Sequence, residues 1–438
     1  MLEINEIKAA VQKQRTLLRK GHVSEIVGLV IGSNGPVASV NELVYIEGRE
    51  GTIPAEVVGF KEKKTLLMPL GSMQGIAPGD VVRASGDTLK IGVGAELIGR
   101  ILDGLGRPLD DLPAPNCEIE YPLERFAPHP LKRKRITNPL PLGVKAIDGL
   151  LTCGEGQRLG IFAGSGVGKS TLLGMIARKS SADVNVIILV GERGREVREF
   201  IENDLGPEGL KKSVVVVASS DQPALVRIKG AYLGTAIGEY FRDQGAKVVL
   251  MMDSVTRFAM AQREIGLAIG EPPATKGYTP SVFATLPRLL ERSGTSSKGS
   301  ITGLYTVLVD GDDVNEPISD AVRGILDGHI ILSRQLASLG HYPAIDILPS
   351  ISRVMPNVIT PEHQEAAIRF KELMAVYREA KDLIDVGAYQ MGTNPKIDLA
   401  IKLLDDLNAF LRQGVDDSWQ YEDTLKSLQE IYQKITSA

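Results

Sequence analysis

The residues best suited to chemistry run Gly164-Ser165-Gly166-Val167-Gly168-Lys169-Ser170-Thr171. An apolar run, Leu159 to Phe162, precedes them, and Leu172, Leu173, Met175 and Ile176 follow at helical spacing. Strand, glycine loop and helix in that order make a cradle for phosphate. Phosphates concentrate negative charge, and backbone N–H groups surround it closely only where side chains are small. The start of the helix adds unpaired N–H donors and the positive end of a dipole. Lys169 is placed to reach the β- and γ-phosphates of ATP, and the Ser170 hydroxyl to bind Mg²⁺. The strict pattern has glycine at 163, where this chain has alanine. A plain Gly-rich turn would leave the Lys169-Ser170 pair unexplained.

Two further apolar runs end in charge. Val184 to Val190 leads into Gly191-Glu192-Arg193, and Val248 to Met252 into Asp253-Ser254. A carboxylate after a core strand downstream of a phosphate loop suits Mg²⁺, so Asp253 is the second metal candidate. The residue after it is Ser254, so a carboxylate to activate water must come from elsewhere. Glu192, at the end of another core strand, is the candidate, with Arg193 beside it for the γ-phosphate. Tyr342 and Arg353, taken from periodicity alone, read as a core aromatic and a surface charge. The five histidines show no spacing for a metal cage or a triad.

These residues need a scaffold. At 438 residues the chain has room for about three domains, and 43% hydrophobic residues fill sizeable cores. Apolar, β-branched runs at Val184 to Val190, Val214 to Ala218, Val248 to Met252 and Tyr305 to Val309 alternate with helical patterns, which implies a mainly parallel sheet covered on both faces. Residues 91–360 form this α/β phosphate-loop domain, with its Pro-rich entry segment and the run Lys132-Arg133-Lys134-Arg135 read as a solvated linker. Residues 22–90 carry short β-rich runs, Ile26 to Ile31 the first, consistent with a small barrel whose Tyr45 and Phe60 pack its core. Residues 361–438 are helical. Residues 1–21 read as an amphipathic helix, and two readings stay open: packing on its own domain, or docking to a partner or an anionic membrane surface.

A net charge of -4 argues against general nucleic-acid binding. Two cysteines are too few for a disulfide framework and suit a reducing cytoplasm.

Together these motifs resemble the catalytic subunits of rotary ATP synthases and the ATPases of type III protein export. Pro343-Ala344-Ile345-Asp346-Ile347-Leu348-Pro349-Ser350-Ile351-Ser352 is similar to the signature of that superfamily, and Gly191-Glu192-Arg193 to its Gly-Glu-Arg. The run from Thr306 through Asp310 and Arg323 to Ile330, with Gly387 to Gly392, resembles the export branch, flagellar more closely than synthase β subunits. The resemblance implies a RecA-like core and Mg²⁺-dependent ATP hydrolysis, with Glu192 polarising water, Tyr342 against adenine and Arg353 as an arginine finger in the neighbouring subunit's site. It also implies a homohexamer, peripheral to the inner face of the cytoplasmic membrane. The implied partners are a regulatory stator protein at the N-terminal helix, a central stalk protein, export chaperone–substrate complexes, the export gate and acidic lipid. The alternatives are an injectisome secretion ATPase, a non-hydrolysing ring subunit, which Glu192 argues against, and an RNA translocase of the terminator Rho type. The last would need stacking aromatics and a basic groove on its barrel.

Overall fold

The computed structural model describes residues 19–309 and 316–437. The expected N-terminal helix falls on residues 1–18, outside the described residues, and the acidic run Asp310 to Asp313 does so as well. The end of that helix is corrected: Lys20 and Gly21 already belong to a strand.

Six strands close an antiparallel barrel: β1 (Lys20–Val27), β2 (Val30–Asn34), β3 (Glu42–Gly48), β4 (Gly51–Lys61), β5 (Lys64–Pro69) and β6 (Val81–Thr88), in the order β1-β2-β5-β4-β3-β6. The run Ile26 to Ile31 is two strands, because the chain turns at Gly28, whose φ of 58° suits glycine. Alternation sends Val44, Ile46, Val57, Leu67 and Val82 inward. Tyr45 and Phe60 do not share that core. Phe60 is 55% exposed, and Tyr45 lies half-buried beneath the Arg83 guanidinium, 6.0 Å from ring centre. Tyr45 alternates with Val44 and Ile46 and so points outward, whereas Phe60 lies beyond a bulge at Val57/Gly59, opposite Thr65 and one residue from the end of β4.

A ribbon of β7 (Lys90–Val93) and β9 (Ile119–Pro122) leads from the barrel to the central sheet. The sheet takes β8 (Ile101–Asp103), β10 (Arg158–Ala163), β11 (Val184–Val190), β12 (Ser213–Ala218), β13 (Lys247–Asp253), the two-residue β14 (Gly294–Thr295), β15 (Ser300–Leu308), β16 (Gly328–Leu332) and β17 (Ile345–Ser352). Its order is β17-β16-β10-β15-β13-β11-β12-β8, parallel except for β17, with β14 paired to β15. The stretch expected to be helical through Arg334 contains β16, whose His329-Ile330-Ile331 pairs with β10 and extends the sheet by one place.

Alternation divides the central strands between two cores. Ile187, Leu189, Val249 and Met251 face α1 (Lys169–Lys179) and the C-terminal helices. Val186, Ile188, Val248, Leu250 and Met252 face the opposite side. Helix α2 (Gly194–Glu199) adds Val197 to the first core, and α3 (Ala224–Asp243) and α4 (Val255–Ile269) cover the second. The C-terminal bundle is α5 (Pro361–Asp385), α6 (Pro395–Leu411) and α7 (Tyr421–Thr436). Thr360 and Asn394 cap the first two, each with proline next, the arrangement that satisfies a helix start.

The basic run 132–135 is not a free linker. Arg133 donates to the carbonyls of Ser293 (2.7 Å) and Glu291, which fastens the entry segment to the sheet. The barrel is fastened by Lys229 of α3, which sits between Glu56 of β4 (2.6 Å) and Glu124 (2.8 Å). Lys229 and Glu56 are both buried. Lys229→Met strands the Glu56 carboxylate, a loss of about 3–5 kcal/mol for a broken buried pair. The expected result is a lower thermal midpoint and proteolysis that starts at the barrel.

Candidate active site

Because β10, β11, β13 and β15 are parallel neighbours, their carboxyl ends meet along one edge of the sheet, the edge where such sheets bind ligands. There a cleft of about 420 Å³ opens, lined by the phosphate loop, Glu192, Arg193 and Asp253. The loop starts where β10 stops. Ala163 is the last residue of that strand and is buried, so its methyl faces core and not phosphate, which accounts for alanine there. Gly166 and Gly168 take φ of 75° and 90°, left-handed conformations that a side chain would strain. Gly164, Ser165, Gly168, Ser170 and Thr171 all line the cleft. Val167 is the exception: its side chain packs into the core, leaving its backbone N–H for the loop.

Lys169 opens α1 and hydrogen-bonds Asp253 Oδ1, and it stands 3.6 Å from Glu192 Oε1. Asp253 is oriented by the Thr306 hydroxyl, which donates to Oδ1 at 2.7 Å. The Ser170 hydroxyl and the Asp253 carboxylate are hard oxygen donors, and a cation, the Lys169 ammonium, already neutralises Asp253. These residues fit Mg²⁺ held mainly by phosphate and water. Among the described residues no three His, Cys, Asp or Glu gather as a metal cage.

Glu192 follows Gly191, whose φ is 69°. Its Oε1 is buried with no donor aligned to it among the described residues, an acceptor left for a bound water. Burial first, and then the Asp253 carboxylate, push its carboxyl up to about 7, with Lys169 and Arg257 opposing. An acceptor for water must be ionised, and a raised pKa moves ionisation to higher pH. The kcat/KM for ATP is therefore expected to fall about tenfold per unit below pH 7 and to level off above it. A profile flat between pH 5.5 and 8 would remove Glu192 from that role.

Arg193 lies at the rim, its side chain 76% exposed and 3.6 Å from Glu196. The cation inside is Arg257 of α4, a residue the sequence reading passed over. Its Nη1 donates to the Gly191 carbonyl at 2.6 Å, and its Nε is 3.2 Å from Glu192 Oε1. The available signal was its place in the first turn of a helix, where the dipole disfavours a cation and an acidic partner is needed. Tyr342 stands beside the loop: its ring comes within 3.7 Å of where a Cβ on Gly168 would lie, and it is 47% exposed.

Arg353 is not in this cleft. Strand β17 runs antiparallel, so Ile345 pairs with Leu332 near the loop, and Ser352 pairs with Gly328 at the far edge. Arg353 N–H donates to Asp327 O, and Asp327 is bound to Arg158 at the start of β10. From Arg158 to Ala163 the strand rises about 16 Å. Arg353 is exposed on the edge opposite its own phosphate loop.

The sheet, the cradle at its carboxyl edge and the carboxylates on adjacent strands define a phosphate-loop ATPase core. Family models assign each part: the beta-barrel domain of the ATP synthase alpha/beta family matches residues 23–86, its nucleotide-binding domain 143–352, and the C-terminal domain of the type III secretion ATPase EscN 359–430. The chain is 57% identical over 416 residues to the flagellum-specific ATP synthase of Bacillus subtilis, covering 94% of this chain and 95% of that one. It is 52% identical over 415 residues to the type 3 secretion system ATPase of Xanthomonas euvesicatoria, covering 94% of each. The assembled ATPase EscN of enteropathogenic E. coli superposes with a TM-score of 0.90 at 50% identity, over 94% of this chain and all of that one. EscN with its central stalk EscO gives 0.88 at 49%. The chain belongs to the ATP synthase alpha/beta family, among the ATPases of type III protein export.

Proposed function

We propose that this chain hydrolyses ATP at the interfaces of a homohexamer and energises flagellar protein export. The observation that carries the interface is the two-ended strand β17. One end places Tyr342 beside the phosphate loop, and the other presents an exposed Arg353 at the opposite edge of the sheet. In a ring, each β17 serves two nucleotides, stacking Tyr342 on its own adenine and reaching the next subunit's γ-phosphate with Arg353.

Lys169 and the loop amides bind the phosphates, and Ser170 and Asp253 hold Mg²⁺. Bound there, Mg²⁺ supplies charge neutralisation for the β- and γ-phosphates. Glu192 accepts a hydrogen bond from the attacking water and aligns it with the γ-phosphorus. Arg257 keeps that carboxylate in place, and Arg193 at the rim meets the γ-phosphate on closure. Arg353 of the adjacent subunit stabilises the charge that develops in the transition state.

The flagellar reading is favoured by the 57% identity to a flagellum-specific relative, and the injectisome relative at 52% makes secretion of virulence factors the second reading. By the same reading a central stalk protein occupies the ring, as in the EscN–EscO complex. The segment ahead of the barrel, residues 1–18, binds a stator protein or acidic lipid. The C-terminal helices face chaperone–substrate complexes at the export gate, on the cytoplasmic side of the membrane. Among the described residues no helix is long and apolar enough to cross a membrane. Phe60 is an exposed barrel aromatic, but Tyr45 is covered by Arg83, and the acidic net charge gives no basic groove for an RNA translocase.

ATPase rate per protomer measured against protein concentration tests this reading. Specific activity is expected to climb steeply as rings form. A rate per protomer independent of concentration, in a protein that stays monomeric by light scattering, would refute interface catalysis.

A further inference from the structure

After Glu192 and Arg193 the chain continues through α2 into a π-helical turn, Phe200–Leu205, which ends at Gly206 with φ 63°. That turn brings one acidic residue, Asp204, against the phosphate-loop helix at three successive levels. The Thr171 hydroxyl, in the first turn of α1, and Asp204 line the same cleft, and the hydroxyl opposes the rise that burial imposes on the Asp204 carboxyl. One turn on, a Cβ at Gly174 would lie 2.5 Å from the Asp204 carbonyl oxygen, so only glycine admits this backbone. A further turn on, Arg178 Nη1 donates to that same carbonyl. Positions 171, 174 and 178 lie on one stripe of a helix, and here the whole stripe meets one residue. Asp204 also lines the nucleotide cleft and is half-buried there. A carboxylate beside a polyanion site repels nucleotide, and the α1 hydroxyl that this one faces is that of Thr171, at the mouth of the loop.

We propose that Asp204 is a positioning residue for nucleotide binding: by holding the Thr171 hydroxyl it fixes the first turn of α1, whose N–H groups and Thr171 itself face the bound phosphates. The inference rests on the reading of residues 164–171 as the phosphate site. Through the π-helical turn, the same rod that begins at Glu192 ends on the phosphate helix, so the water-orienting carboxylate and the phosphate cradle are held by one continuous piece of chain. Because Asp204 touches α1 and not the reacting atoms, its loss acts on ATP affinity and leaves the chemical step largely intact.

The test uses the full-length protein, a fluorescent ATP analogue for Kd and steady-state hydrolysis for kcat and KM, in four variants. Asp204→Ala is expected to raise Kd and KM about tenfold, equivalent to about 1.4 kcal/mol, with kcat within about threefold of wild type. Asp204→Asn, which keeps an oxygen to accept from Thr171, is expected to restore both to near wild type. Thr171→Val is expected to weaken binding, and adding Asp204→Ala to it should cost little more, since two residues acting through one contact are non-additive. An Asp204→Ala protein with normal Kd and KM overturns the proposal. So does full additivity with Thr171→Val, or an Asp204→Asn protein as weak as the alanine variant. Lys169→Ala serves as the control for the underlying reading: if it binds the analogue as tightly as wild type, the phosphate site itself is misplaced, a failure separate from that of Asp204.

Discussion

Arg353→Ala is expected to bind ATP with near-normal affinity and to assemble, yet to hydrolyse it about 10³-fold or more slowly, the range in which arginine fingers contribute. The reason is geometric. The side chain is exposed, and among the described residues its one side-chain hydrogen bond, Nη1 to the Leu326 carbonyl at 3.3 Å, does not tie it into the core. Alanine keeps the backbone bond to Asp327, so the substitution leaves the fold and the chain's own phosphate loop in place. The arginine's contribution appears only as charge develops on a γ-phosphate in the adjacent site, so the loss falls on kcat. Single-turnover hydrolysis with the analogue already bound separates this from a binding defect. A variant that keeps normal single-turnover rates would show that Arg353 is an ordinary surface arginine.

Glu192→Gln is expected to lower kcat by about 10² to 10⁴ while Kd for ATP holds or tightens. The amide keeps the shape of the side chain but loses the negative charge that accepts the water's proton and aligns its lone pair. It also removes a carboxylate facing Asp253 across Lys169, which relieves repulsion near the triphosphate. The pH limb expected near 7 should vanish with the substitution, because the group that titrates is gone. Retention of that limb in the glutamine variant would assign it to another residue.

Much of this arrangement is legible from the chain because the central strands are buried on both faces. Val184 to Val190 and Val248 to Met252 are nearly uninterrupted apolar runs, and the residues that follow them, Glu192 and Asp253, fall at the carboxyl edge by the rule for parallel sheets. The phosphate loop announces itself through glycines whose left-handed φ values are realised at 166 and 168. Long-range relations are not legible. Arg257 stands out locally only as a cation in the first turn of a helix, and its partner Glu192 emerges only once α4 packs beside β11. Asp204 becomes a partner of α1 through a π-helical turn, which has no periodicity to detect. Strand β16 is only five residues, Gly328–Leu332, inside a stretch that otherwise reads as helical, and it becomes a strand because β10 offers a free edge. In the barrel, Tyr45 points outward because it alternates with Val44 and Ile46, and Phe60 lies beyond a β-bulge near the end of β4, an irregularity that simple alternation does not reveal. The opposite placement of Tyr342 and Arg353 depends on β17 running antiparallel, which nothing in its own composition specifies.

The central claim is that each catalytic site is built from two chains, and mixing two inactive variants tests it most directly. Lys169→Ala loses its own phosphate site but keeps Arg353, and Arg353→Ala keeps its phosphate site but has no finger to lend. Each alone is expected to be nearly inactive. Combined in equal amounts and allowed to assemble, they should regain activity at about a quarter of the interfaces, those where an intact loop meets an intact arginine across a head-to-tail contact. A mixture no more active than its parts, in rings shown by cross-linking to contain both variants, would contradict the account and place the complete site within one chain.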